Sequence, residues 1–256
     1  LWQLEAIEQT RLAAPINVWL KLDSGMHRVG LHPKDYQAAY QRLQDSGKVA
    51  KIVLMSHFAR ADELDSDASN EQVAVFQAAR QGLNAEISLR NSPALLGWPQ
   101  IPSDWGRPGI MLYGATPFET PNAEADRLQP VMTLKSRVIS VRELPAGEPV
   151  GYGARFISPR PTRVGVVAMG YADGYPRHAP TGTPVVVAGK RSQLIGRVSM
   201  DMLCIDLTDV PEVGLGSPVE LWGKRVLASE VAAQAGTIPY QIFCNLRRVP
   251  LIYTGE

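Results

Sequence analysis

An α/β first half followed by a mostly β second half is the fold class that the sequence predicts, and three observations predict it. Up to about residue 116, strand-like and helix-like segments alternate. Beyond residue 130, short strands follow one another with Gly and Pro turns between them. The stretch between, "ATPFETPNAEADRLQP", is Pro-rich and polar and reads as a linker. The expected domains are therefore 1–116 and 131–256, joined by 117–130.

The first half justifies its elements in order. Leu1, Leu4, Ile7 and Leu12 fall near helical spacing, so the chain opens inside or just before an amphipathic helix. Neither an initiator Met nor a signal-peptide pattern precedes it, which predicts a further N-terminal portion. "INVWLKLD" places Ile16, Val18, Leu20 and Leu22 on one face, the period-two mark of a strand. "HPKDYQAAYQRLQDSG" is a helix with Pro33 in its first turn and Gly47 past its end. "AKIVLMSHF" is a second strand, "NEQVAVFQAARQG" a second helix, "AEISLR" a third strand and "NSPALLG" a short helix. "RPGIMLYG" is expected to be a fourth strand. Strands alternating with helices imply parallel βα units. Four such strands amount to half of a (β/α)8 TIM-type barrel, which takes roughly 250 residues when whole. The expectation is the second half of such a barrel, its first half lying upstream.

The second half reads as short strands at "VMTLKSRVISVREL", "TRVGVVAMG", "GTPVVVAGKRSQLIGRVS", "MLCIDLT", "SPVELWG" and a terminal "RRVPLIYTG". A single helix, "SEVAAQAG", interrupts them, with Ser229 as the expected N-cap. Spacing this close suggests a small β-domain.

Composition narrows the function. A net charge of +1, with both signs spread evenly, argues against nucleic acid or an anionic membrane surface as partner. No apolar run reaches the length of a membrane span. Cys204 and Cys244 form no CxxC or disulfide framework and are expected reduced and buried, as suits a cytoplasmic protein. No cluster has metal-ligand spacing.

Polar residues fall at the carboxyl ends of the predicted strands, where barrel chemistry lies. Lys21, Asp23 and Arg28 follow the first strand, His57 ends the second, Asn91 and Ser92 follow the third, and Arg107 opens the fourth. Singly, each has a bland account: a structural His, a helix cap, an Arg-Pro-Gly turn. Together, a Ser hydroxyl at a helix start and the amides of Gly109 and Ile110 would cradle a phosphate. In the β half, Tyr152 stands between two glycines in "VGYGARF", bare of neighbouring side chains. Tyr171 in "GYADGYPR", Met200 and Asp201 in "GRVSMDM" and Tyr253 near the end complete the candidates. Each could equally be a turn or packing residue.

In order and across the whole chain, "LKLDSGMHRVG", "MSHF", "NS", "RPGIMLYG", "VGYGARF", "GYADGYPR", "GRVSMDM" and "RRVPLIY" resemble the bacterial alanine racemases, pyridoxal-phosphate enzymes of fold type III. The resemblance implies a barrel joined to a C-terminal β-domain, working as a head-to-tail homodimer whose active sites are shared between subunits. It implies pyridoxal 5'-phosphate as cofactor, alanine as substrate, and two-base proton transfer through an aldimine in the cytoplasm, serving either D-alanine supply for peptidoglycan or alanine breakdown. By the same likeness Tyr152 is the L-face base, and a phenol is a weak base unless nearby cations favour its phenolate. Arg107 would face the pyridine nitrogen with His57 beside it, Ser92, Gly109, Ile110 and Tyr253 would hold the phosphate, and Asn91 would be a further cofactor-binding residue. Arg28, Met200 and Tyr171 would meet substrate. Asp201 would narrow the entrance, and Lys21 matches a lysine that some members carry as a carbamate.

One departure matters. The family's Schiff-base lysine sits in a motif like "VKANAYGHG", and none of the seven lysines here has that context. The chain as written would thus need a complementary N-terminal segment to be active. The open alternatives are another fold-type III enzyme, such as a broad racemase or a decarboxylase, or a non-catalytic scaffold descended from the racemase.

Overall fold

The computed structural model describes residues 1–254, which fold as two compact units. The first comprises Leu1–Met111 with Pro117–Arg127, and the second Leu112–Thr116 with the chain from Leu128 onward.

In the first unit the order is α1 (Trp2–Gln9), β1 (Ile16–Lys21), α2 (Pro33–Asp45), β2 (Val49–Met55), α3 (Ala68–Ala79), β3 (Ile87–Ser88) and α4 (Ser92–Gly97). The strands form a parallel sheet in the order β1-β2-β3, with Leu20 opposite Leu54 and Leu54 opposite Ile87. Alternation along β1 holds: Leu20 and Leu22 are buried while Asn17 and Trp19 face out. Pro33 stands at the first position of α2, where its missing N–H costs nothing. Tyr36 on the buried face of α2 donates its hydroxyl to the Leu20 carbonyl at 2.8 Å, tying helix to strand. Burial pushes that phenol's pKa upward. Phe76 on α3 and Leu43 on α2 close the core between helices and sheet.

The expected fourth strand does not form. Arg107 makes an isolated parallel bridge with Asn91, and the chain then turns into a 3-10 helix, Ile110–Tyr113. Pro108 has no N–H to offer a ladder, and the Gly109 N–H goes to the Ser92 hydroxyl at 2.7 Å. The polar stretch after it is packed down at two points, Phe118 and Ala125, both buried.

The second unit contains β4 (Leu134–Leu144), β5 (Pro149–Val150), β6 (Phe156–Ile157), β7 (Thr162–Val167), β8 (Pro184–Val187), β9 (Lys190–Ile195), β10 (Leu203–Asp206) and β11 (Pro218–Trp222). Six of these close an antiparallel barrel in the order β10-β7-β4-β11-β8-β9. Its interior is apolar: Val185, Val187, Leu194, Ile205, Leu221 and Trp222 are fully buried. Each such side chain contributes about 1.5–3 kcal/mol. β5 and β6 form a separate two-stranded ribbon outside the barrel.

Four expectations for this unit need correction. The C-terminal "RRVPLIYTG" is not a strand. Arg248 takes a left-handed φ of 57° and Pro250 lacks a donor, so the segment runs as irregular chain. A helix, α6 (Pro239–Cys244), precedes it instead, opened by Pro239. The helix α5 (Ala228–Gln234) starts two residues earlier than expected, so Ser229 lies within it and Leu227 is the N-cap, with no side-chain bond. Cys244 is exposed rather than buried, because it sits on the outward side of α6, and Cys204 is half-buried on β10. Among the described residues no helix is long and apolar enough to cross a membrane, and no group of His, Cys, Asp or Glu could hold a metal ion.

Candidate functional site

In the first unit the strand ends converge on Arg107. Its Nη1 donates to the Ser88 carbonyl at 2.8 Å and to the Ser88 hydroxyl at 2.5 Å. Its Nη2 donates to the Ser56 carbonyl at 2.7 Å and to the Leu89 carbonyl at 3.3 Å. Both amino groups are thus spent on the ends of β2 and β3. The remaining donor, Nε–H, has no acceptor among the described residues and is left for a ligand. Burial lowers the arginine's proton affinity from its ordinary value.

His57 lies beside it, Nδ1 at 3.3 Å from Arg107 Nη2. Burial, then the charges of Arg107, Lys21 and Arg28, push the His57 pKa down from 6.5 to about 4. The ring is therefore neutral at physiological pH, and the guanidinium contact requires Nδ1 to accept, leaving the proton on Nε2. Lys21, at the end of β1, is pulled the same way by burial, Arg28 and Arg107, with Asp23 alone opposing. Asp23 accepts from the Gly25 and His27 amides at 3.1 and 2.9 Å, which shapes the loop that carries Arg28. Three cations faced by one carboxylate make a site for an anion.

Because the unfolded His57 binds its proton first as pH falls, stability declines from about pH 6.5 and levels near pH 4. We expect His57→Gln to flatten that segment of a urea midpoint-against-pH profile. An unchanged slope in the variant would contradict the assignment.

The third strand end supplies an anion cradle. Asn91 caps α4, its Oδ1 accepting from the Ala94 amide at 3.2 Å. Ser92, the first residue of α4, is buried and accepts the Gly109 amide at 2.7 Å and that of Met111 at 3.5 Å. As an acceptor of both, Ser92 keeps its own O–H to donate. Ile110 opens a 3-10 helix, where a first N–H has no acceptor within the helix. A Cβ on Gly109 would stand 3.6 Å from Ser92 Oγ, so the glycine leaves the mouth of the cradle open.

The second unit groups the other candidates. Tyr152 sits on a 3-10 turn, Tyr152–Ala154, at the tip of the β5–β6 ribbon. Gly151 and Gly153 take φ of 70° and 72°, which the glycines on either side permit. The tyrosine is 70 % exposed, and its hydroxyl has no hydrogen bond among the described residues. The ribbon runs close by Gly196 and Arg197: a Cβ on Gly196 would meet the Val150 carbonyl at 2.9 Å.

Tyr171 and Met200 lie on adjoining turns, since Tyr171 N–H donates to the Ser199 carbonyl and Ala172 N–H to that of Met200, each at 3.0 Å. Any side chain at Gly170 would collide with the Met200 carbonyl. Arg248 links the turns, reaching Asp201 at 3.1 Å and Asp173 at 3.6 Å. Arg177 lies over the Tyr171 ring at 5.9 Å. Tyr253 is exposed on the irregular C-terminal stretch.

Sequence reading missed Ser56 and Ser88, whose carbonyls and hydroxyl hold Arg107, and the Asp173–Arg248–Asp201 group. Backbone acceptors carry no residue signature, and Arg248 is forty-seven positions from Asp201.

Comparison with known proteins agrees in both units. The description "Alanine racemase, N-terminal domain" matches residues 1–117, and "Alanine racemase, C-terminal domain" matches residues 131–253. An alanine racemase from Pseudomonas taetrolens is 82% identical over the whole chain, which covers 72% of that relative. A catabolic alanine racemase from Pseudomonas aeruginosa is 68% identical over 99% of the chain and 71% of its own length. The crystal structure of the biosynthetic alanine racemase from Pseudomonas aeruginosa superposes with a TM-score of 0.95 at 48% identity, over all of this chain and 72% of that one. A Bartonella henselae alanine racemase solved with covalently bound pyridoxal phosphate gives a TM-score of 0.78 at 29% identity, over 90% and 64%.

Proposed function

Because the chain belongs to the alanine racemase family, we propose that its strand-end cluster holds pyridoxal 5'-phosphate and that Tyr152 moves the proton on the L face of alanine. The chain is an isomerase of L- and D-alanine, with pyridoxal phosphate as cofactor. When bound, that group supplies the electron sink that makes the Cα–H of alanine acidic enough to remove.

The residues present fit it. The Ser92 O–H and the Ile110 N–H are donors for a phosphate, Gly109 keeps the approach clear, and Asn91 fixes the start of α4 beneath them. Tyr253 is assigned to the same phosphate. The unused Arg107 Nε–H suits a ring nitrogen as acceptor, and a guanidinium will not give its proton up to it. Neutral His57 braces Arg107 without adding a repelling charge. Arg28 and Lys21 supply positive charge for the substrate carboxylate on the side shaped by Asp23. Tyr171 and Met200, held on adjoining turns above Asp201, limit the size of the side chain admitted.

We read the first unit as part of a (β/α)8 barrel. Among the described residues β1 pairs with β2 along one side, while on the other only its end, at Lys21, is bonded, by Leu31; a groove of about 630 Å³ runs beside it, lined by Trp2, Ile7, Val18 and Trp19. A free parallel edge with apolar flanks accepts further strands. The protein is, on this reading, a cytoplasmic homodimer in which the β-domain of one subunit serves the barrel of the other. The greater likeness to a catabolic than to a biosynthetic enzyme of one species favours alanine breakdown over cell-wall supply. Growth of a deletion strain on alanine as carbon source distinguishes the two.

One observation carries this reading: the ligand-ready donors lie in one unit, and the unbonded Tyr152 hydroxyl lies in the other. Mixing inactive Tyr152→Phe and Arg107→Ala proteins after dissociation tests it. Random pairing leaves one intact site in each mixed dimer, so about a quarter of the wild-type rate should return. No recovery would exclude sites shared between subunits.

A further inference from the structure

Helix α3 directs the amide side chain of Gln72 into the interior beneath the strand ends. Gln72 is buried, at 6 % exposure, and its amide is fully bonded. Nε2 donates to Ser24 Oγ at 3.1 Å and to the His57 carbonyl at 3.0 Å, while Oε1 accepts from the Ala59 amide at 2.8 Å. Ser24 and Ser56 hydroxyls stand 2.7 Å apart, and Ser56 Oγ donates to the Leu22 carbonyl at 2.9 Å. A serine has one hydroxyl hydrogen, and that of Ser56 is committed to Leu22. The hydrogen between the serines is therefore Ser24's, so the relay runs one way, from Gln72 through Ser24 and Ser56 to Leu22.

Each end of this relay touches a part of the site. Ser24 lies in the loop that carries Arg28. The Ser56 carbonyl takes Arg107 Nη2 at 2.7 Å, and the His57 carbonyl is bonded directly by Gln72. Ala59 continues the same segment. One amide thus fastens α3 to the loop after β1 and to residues 56–59 at once. An apolar residue of equal volume would fill the space but fix none of these partners.

We propose that Gln72 is a positioning residue of the racemase: through Ser24 and the 56–59 segment, its amide sets the place of His57 and the aim of Arg107. The proposal rests on the assignment of His57 and Arg107 to the cofactor. A fully satisfied buried amide holds its partners in one arrangement, and losing its donors strands acceptors that are already out of water.

Gln72→Met keeps the volume without the bonds, and Gln72→Glu keeps the shape while removing both donors at neutral pH. On the intact holoenzyme we would measure cofactor dissociation constant, absorption maximum of the bound cofactor, kcat and KM for alanine, and thermal midpoint. Both variants should bind the cofactor about tenfold more weakly, shift its absorption band and lower kcat more than they change KM. A lower thermal midpoint with affinity, band and kcat all unchanged would overturn the proposal and leave Gln72 a packing residue. Should neither variant fold, Ser24→Ala decides: it breaks the relay one link on, and an unmoved band and affinity there overturn the proposal as well. A wild type that binds no pyridoxal phosphate, or an Arg107→Ala protein that binds it equally well, would overturn the assignment of the site instead.

Discussion

Tyr152→Phe is expected to slow exchange of the L-alanine Cα hydrogen with solvent by about 10²–10⁴-fold, the usual worth of a positioned general base. Cofactor binding and thermal midpoint should stay as in the wild type. The ring is 70 % exposed at the tip of a ribbon, and its hydroxyl bonds to nothing among the described residues. Deleting that oxygen therefore leaves no buried group unsatisfied, and such surface changes usually fall within about 0.5 kcal/mol. Hydrogen–deuterium exchange followed from each enantiomer separately is the decisive measurement. Undiminished exchange from the L side would remove Tyr152 from the mechanism.

Arg107→Ala should cost both folding and function. The guanidinium bonds the carbonyls of Ser56, Ser88 and Leu89 and the Ser88 hydroxyl, and truncation leaves the Ser56 and Leu89 carbonyls without a donor while the Ser88 carbonyl keeps the Ser56 amide. At roughly 1–3 kcal/mol for an orphaned buried acceptor, partly relieved by entering water, a loss of about 2–4 kcal/mol is expected. Urea unfolding of the variant measures it. Cofactor affinity should fall in parallel, since the strand ends lose the group that gathers them and the ligand loses the Nε–H donor. Arg107→Lys preserves charge but not the fork, and it should lie between wild type and Ala. Wild-type stability in Arg107→Ala would show that the carbonyls find other donors and that Arg107 serves the ligand alone.

Much of the fold is legible in the amino-acid sequence. Period-two alternation at Ile16–Leu22 announces β1, and Pro33 with Gly47 brackets α2. Gly-Tyr-Gly at 151–153 announces an exposed tyrosine on a tight turn, which is what the ribbon tip presents. "RPGIMLYG" misleads, because its apolar residues suit a strand while Pro108 and the Gly109–Ser92 bond forbid the ladder. "SEVAAQAG" likewise suggests a cap at Ser229 that the backbone does not use. Helix α6 is hidden in a segment whose apolar pattern reads equally well as strand or helix.

Local chemistry is written in the sequence because it depends on neighbours a few positions apart: strand alternation, proline at helix starts, glycine beside Tyr152, and a serine opening α4. The co-ordered motifs that relate the chain to its family are equally one-dimensional. Long-range pairing belongs to the tertiary structure alone. It decides that Arg107 spends both amino groups on backbone carbonyls nineteen and fifty-one positions away, and that His57 is neutral. It also decides that Gln72 joins Ser24 across forty-eight residues. The reason is physical: carbonyl acceptors look alike in any sequence, and the shift of an imidazole depends on burial and on charges that only folding brings near.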